Sequence, residues 1–274
     1  MRIWFQKHAV TGRVPGLDAA YRAHVDRVVR PGTTVDFHGL PAGTYDAPLP
    51  AALVRHGGVE DLFAGWFGVQ AVRAERAGSD AYVSGTSQDP GLAMARALVE
   101  IPVLGYGETV MHLAAMLADR FAFVGFIPEL EEPLRANAAR YGVAGRLSGC
   151  AYTDVGPDEV HAALQGDAGA FLDAFRAAAR RAIAGGAQLL VPGEGLPNEI
   201  LVREGVTEID GVGVLDPDGL VVTTAELLVT ARRHGMAGPV RTGYRHARPT
   251  REQLDHLLAL YAPAAWPGPD AGEG

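Results

Sequence analysis

Asp80-Ala-Tyr-Val-Ser-Gly-Thr-Ser-Gln-Asp-Pro-Gly-Leu92 is the stretch on which the fold turns. The short β-prone run Ala81 to Ser84 gives way to Gly85-Thr86-Ser87, and Asp89-Pro90 then reads as a helix start, with aspartate as N-cap and proline at the first helical position. The pattern is strand, tight polar turn, helix. Such a junction gathers hydroxyls and unpaired backbone N–H groups where the helix dipole favours negative charge, which suits a carboxylate or a developing enolate oxygen. It also serves as an ordinary strand-to-helix connection.

A second stretch reads as its counterpart. In Ala187-Gln-Leu-Leu-Val-Pro-Gly-Glu-Gly-Leu-Pro-Asn198 an apolar run breaks at Gly193 and sets Glu194 where the first copy has Thr86. The first copy continues to Ile101-Pro-Val-Leu-Gly105 and the second to Val212-Gly-Val-Leu-Asp216, a weak internal repeat. Two similar halves facing each other set Thr86 and Glu194 on opposite walls of one cleft.

The rest of the chain fits an α/β fold, because strand and helix patterns alternate through most of its length. Strands are expected at Arg2 to Phe5, Thr34 to Phe37, Ala81 to Ser84, Val103-Leu104, Phe121 to Phe126, Leu147 to Tyr152 and Gln188 to Val191. Helices are expected near 17–29, 59–77, 90–100, 109–117, 129–141, 168–184, 223–233 and 251–261. The glycines and proline of His38-Gly-Leu-Pro-Ala-Gly-Thr-Tyr45 mark a loop beside the strand ends. The chain is expected to cross between lobes near residue 105 and return near 216. That makes 1–104 with 216–262 one lobe, 105–215 the other, and 263–274, rich in Pro, Gly and acid, a mobile tail.

Composition narrows the function. With 274 residues, 48 % of them hydrophobic, the chain can bury a full core. A net charge of -8 without a basic run speaks against nucleic acid and anionic membrane as partners, leaving a small molecule. Cys150 is the single cysteine, in keeping with a reducing compartment, and no leader or membrane span is legible, so the cytoplasm is expected. The histidines lack metal-ligand spacing, and no Walker lysine, complete Gly-x-Gly-x-x-Gly or Gly-x-Ser-x-Gly occurs. Neither a metal nor a bound nucleotide is expected. Cys150, in an apparent strand, reads as a small core residue. Glu194, between two glycines at a strand end, reads either as a desolvated general acid or base or as a solvated loop residue.

On these residues the chain resembles the aspartate/glutamate/hydantoin racemase superfamily, the hydantoin racemase branch most closely. The likeness runs through Arg2-Ile-Trp-Phe-Gln6, Val35 to Tyr45, Asp89-Pro-Gly-Leu92, Ile101 to Glu108 with His112-Leu-Ala114, and the glycines around Glu194. The resemblance implies two Rossmann-like three-layer lobes with mainly parallel sheets and pseudo-twofold symmetry, an interlobe active site and no cofactor. In these racemases each lobe gives one cysteine; the matching positions here are Thr86 and Glu194. A threonine hydroxyl is too weak to exchange a carbon-bound proton near neutral pH but can donate to an anion. Gly85-Thr86-Ser87 also resembles the turn that holds a carboxylate or enediolate in the arylmalonate decarboxylase branch.

The expectation is therefore an isomerase or lyase that works through an enolate-like intermediate, with Glu194 as single acid/base and Thr86 as anion donor. Gln6, Tyr45, Gly85, Ser87, Gln88, Tyr106, Gly193 and Gly195 are expected around a substrate bearing a carboxylate, amide or cyclic imide, with Glu108 and His38 as further pocket candidates. Hydrolysis of a cyclic amide or imide with Glu194 activating water, or ligand binding without turnover, are the other readings. A homo-oligomer is expected from the resemblance.

Overall fold

The computed structural model describes residues 1–262, so the expectation for 263–274 lies outside the described residues. β1 (Arg2–Val10), β2 (Thr34–Leu40), β3 (Ala81–Ser84) and β4 (Val103–Gly105) form a parallel sheet in the order β2-β1-β3-β4. β5 (Phe121–Gly125), β6 (Leu147–Tyr152), β7 (Leu189–Pro192), β8 (Glu208–Ile209) and β9 (Val212–Val214) form a second in the order β6-β5-β7-β9-β8, antiparallel only between β8 and β9. Every residue of β3 and of β5 is buried, which is why these strands read as unbroken apolar runs: helices cover both faces. Burying each Val or Phe there stabilises the fold by about 1.5–3 kcal/mol.

The helices are α1 (Leu17–Val25), α2 (Ala51–Val54), α3 (Gly57–Arg76), α4 (Leu92–Leu98), α5 (Tyr106–Leu117), α6 (Glu131–Arg140), α7 (Pro157–Leu164), α8 (Gly169–Ala184), α9 (Gly195–Arg203), α10 (Pro217–Arg233) and α11 (Arg251–Tyr261). α8 shows how they attach: Phe171, Phe175, Ala178 and Ala179 recur at helical spacing and face β5 and β6. α10 carries the chain back from the second sheet to β3, β4 and α5. Parallel pairing aligns the strand ends, with Gln6 beside Ser84, Ser84 beside Gly105, and Val124 beside Pro192. The segments that follow these ends meet between the sheets.

Three local differences from the sequence reading bear on the site. β1 does not stop at Phe5. It runs to Val10 through an irregularity in which Gln6 pairs with His38 and Val10 with Leu40, so Lys7, His8 and Ala9 bulge opposite Gly39 alone. A Cβ at Gly39 would lie 2.4 Å from the Ala9 carbonyl oxygen, so only glycine permits the bulge. Second, Asp89 is not the N-cap of α4. It adopts φ 53°, Gly91 follows at φ 68°, and the helix starts at Leu92. The Asp89 carboxylate instead accepts the N–H groups of Gly107 at 2.9 Å and Glu108 at 2.7 Å, capping α5 across space. Third, α9 begins directly after Glu194. This helix is not among those expected from the sequence; Pro197 sits in its first turn, where no helical N–H bond is lost.

Candidate active site

Thr86 and Glu194 line one cavity of about 60 Å³ between the sheets. The first sheet contributes Lys7 and His8 from the β1 bulge and Gly85, Thr86 and Gln88 from the turn after β3. The facing wall is Phe126 and Ile127, after β5, with Glu194 and the α9 start, Gly195 and Leu196. Pro50, Ala51 and Val54 also line it.

Glu194 is held by backbone alone. The Phe126 N–H reaches Oε1 at 3.2 Å and Oε2 at 3.3 Å, and the Ile127 N–H reaches Oε1 at 3.2 Å. No Lys or Arg pairs with it among the described residues. Burial of the carboxyl group raises its pKa to about 8, and the backbone donors only partly offset this. Near neutral pH it therefore carries a proton it can give, and a small rise in basicity of its surroundings lets it take one back. Gly125 makes room for it: a Cβ there would stand 2.7 Å from both carboxyl oxygens.

On the other wall the hydroxyl of Thr86 donates to Gln88 Oε1, so it is engaged within the turn. The backbone N–H groups of Thr86, Ser87 and Gln88 have no hydrogen-bond partner among the described residues. They are the turn's free donors. The turn is rigid: Gly85 N–H donates to Gln6 O at 2.8 Å, and a Cβ on Gly85 would lie 2.0 Å from the Phe5 ring.

Several expected contacts fall outside the lining. Gln6 is buried and spends its amide on Lys7 O at 3.2 Å and Gly39 O at 3.0 Å, which fixes the bulge. Tyr45 accepts the Val10 N–H at 2.8 Å and pins the 41–50 loop to β1. Tyr106, fully buried, donates to Pro192 O at 3.2 Å. Gly193 packs 3.4 Å from Gly125 Cα, measured from where its Cβ would be. Ser87 is 1 % exposed and turned into the protein, its hydroxyl without a partner. Glu108 pairs with Arg96, and His38 stacks on Trp4 with centroids 3.3 Å apart. Cys150 lies on β6, its thiol pushed up to about 11 by burial, and stays protonated near neutral pH.

The sequence reading missed Lys7, His8 and Tyr21. Lys7 Nζ bonds Asp18 Oδ1 at 2.7 Å and lies 4.5 Å above the Tyr21 ring; burial lowers its pKa and Asp18 pulls it back up. Beneath α9, His24 joins Glu199 at 2.6 Å and Asp216 at 2.7 Å. Burial opposes its charge, yet these carboxylates outweigh it and lift the imidazole to about 10. Asn198 adds bonds to Asp216 at 2.9 Å and Asp218 at 2.8 Å. α9, and with it Glu194, is thus anchored to α1 and α10. A larger cavity, about 350 Å³ and lined by Val99, Val103, Arg232 and Arg241, lies along β4 and contains none of the candidate residues except the neighbourhood of Arg96.

A family model described as Asp/Glu/hydantoin racemase matches residues 60–225, which include both Thr86 and Glu194. The chain belongs to the Asp/Glu/hydantoin racemase family. It is 30 % identical over 185 residues to a hydantoin racemase of Paenarthrobacter aurescens, covering 66 % of this chain and 76 % of that protein. Its fold is similar to that of allantoin racemase from Klebsiella pneumoniae, with a TM-score of 0.70 at 24 % identity over 92 % of this chain and 94 % of that one. A liganded mutant of arylmalonate decarboxylase gives a TM-score of 0.54 at 17 % identity over 83 % and 92 % of the two chains. This racemase-family member is an isomerase-type enzyme whose structural neighbours include a decarboxylase. No helix among the described residues is long and apolar enough to cross a membrane.

Proposed function

We propose that the chain is a cofactor-independent isomerase or lyase acting on a carbon next to a carbonyl or carboxylate, with residues 1–104 and 216–262 as one lobe and 105–215 as the other. The reaction passes through an enolate-like intermediate. The unpaired N–H groups of Thr86 to Gln88 hold its oxygen, and Glu194 delivers or removes a proton at carbon. One observation carries this reading: a partly buried carboxyl group with no Lys or Arg paired to it among the described residues, its pKa raised to about 8 by burial, faces a turn of free backbone donors across a small cavity. Threonine in place of a thiol leaves that wall with hydrogen-bond donors and, at this residue, no proton to exchange.

Three probes cover the chemistry of the relatives: 5-benzylhydantoin, allantoin and phenylmalonate. In D2O the enzyme is expected to place deuterium at the carbon beside the carbonyl of at least one of them, and Glu194→Gln to slow this roughly 10²- to 10⁴-fold for at least one enantiomer. Exchange at the parent rate with both enantiomers in Glu194→Gln refutes the assignment. Oxygen-18 from solvent in the product, without deuterium at carbon, would indicate hydrolysis instead. Recovery of every probe unchanged and unlabelled, despite thermal stabilisation of the protein, would indicate binding without turnover.

A further inference from the structure

The wall that carries Thr86 holds a second group able to exchange a proton. His8 sits in the β1 bulge and lines the same cavity as Glu194. The residue is only 9 % exposed, and its Nε2 has no hydrogen-bond partner among the described residues. Buried imidazole nitrogens are normally satisfied, so a ring that lines a cavity and leaves a nitrogen unpaired is costly unless a ligand makes up the loss. The ring is clamped between Phe63 and Phe67 of α3, with centroids 4.9 and 5.0 Å away, so it is oriented by packing alone. Lys7, the neighbouring residue, is committed to Asp18, and its ammonium lies over the Tyr21 ring. His8 is the bulge residue left free for a ligand. A bulge beside an active site is a common way to re-aim a side chain, and Gly39 permits this one.

We propose that His8 is the second proton-exchanging group of this cavity, acting from the first-sheet wall while Glu194 acts from the second. The inference rests on the enolate reading. In one direction the free imidazole nitrogen takes the proton from carbon, and the electrons of the broken C–H bond move to the carbonyl oxygen, held by the N–H groups of 86–88. The electrons then return, and carbon forms a new bond to the proton of Glu194 on the opposite face. The configuration is inverted, leaving imidazolium and carboxylate, which reset by exchange with solvent. The protonation states fit: burial keeps His8 neutral, its pKa lowered to about 3, while Glu194 holds its proton. An anionic intermediate on the facing turn strengthens the base, because negative charge nearby favours the imidazolium.

The test uses each enantiomer of 5-benzylhydantoin in D2O, with proton NMR for exchange and polarimetry for inversion. In the parent enzyme, early product is expected to be inverted and deuterated while recovered substrate stays unlabelled, the pattern of two separate proton carriers. In His8→Gln and His8→Asn, inversion is expected to fall roughly 10²- to 10⁴-fold, while Glu194 still exchanges one enantiomer with its rotation unchanged. Inversion at the parent rate in a folded variant overturns the role of His8. So does equal early labelling of substrate and product in the parent, a measurement that needs no variant. Deuterium uptake with retention in the parent leaves the enolate reading standing and removes His8. A parent that neither exchanges nor inverts any of the three probes overturns both.

Discussion

Replacing Glu194 by glutamine is expected to stabilise the protein while disabling it, and the gain should depend on pH in a way the site dictates. Burial raises the carboxyl pKa from an ordinary 4.5 to about 8. The folded state therefore binds more protons than the unfolded chain between those values, so the parent loses stability as pH rises from about 4.5 and stops losing it above about 8. The interval is about 3.5 units, at ~1.4 kcal/mol each, or at most about 5 kcal/mol, since the residue is only partly buried. Glutamine keeps the shape and an acceptor for the Phe126 and Ile127 N–H groups but has no proton to lose. The two proteins should melt together near pH 4.5, and the variant should melt progressively higher up to pH 8. For a chain of this size about 5 kcal/mol corresponds to roughly 10 °C. Circular dichroism melts at half-unit steps from pH 4.5 to 9 measure the difference. A difference that does not change with pH, or that shrinks as pH rises, refutes a buried, unpaired carboxyl group at this position.

Two further changes probe the framework. Gly85→Ala drives a methyl group into the Phe5 ring, with the Cβ 2.0 Å from Cε1, and is expected to cost about 1–3 kcal/mol or more; a parental denaturation midpoint would show that the turn yields. His24→Leu removes the cation between Glu199 and Asp216 and is expected to cost about 3–5 kcal/mol. In the parent the contribution of His24 is fully present below its ordinary pKa of 6.5 and lost as pH rises through about 10, so the gap between parent and variant should narrow across that window in urea titrations.

How much of this was legible in the sequence differs between the walls. Thr86 and Glu194 stand in glycine-flanked turns after apolar runs, and that local pattern is enough to set both at strand ends of a parallel sheet. His8 was hidden because its visibility depends on pairing: β1 looks finished at Phe5, and only the register against β2 shows the bulge. Gly39 was the one local signal, since a glycine inside a strand marks close approach of another backbone. Asp89 was misread for a similar reason. Aspartate before proline looks like a cap for the helix that follows, but its left-handed φ turns the carboxylate to α5 instead. The hydroxyl of Thr86 was expected to face a ligand, and its bond to Gln88 depends on a side-chain conformation that residue type does not reveal.

Asp89 and Tyr106 together form a strut. The turn bearing Thr86 is tied through Asp89 to the first amides of α5, and the first residue of that helix is tied through its phenol to Pro192, two positions before Glu194. The span between the opposing chemical groups is thus fixed by one short helix start, and prying the lobes apart would break several buried bonds at once. Pro50, Ala51 and Val54 line the same cavity from outside both sheets, so variation there can change what fits while the distance across the gap stays constant.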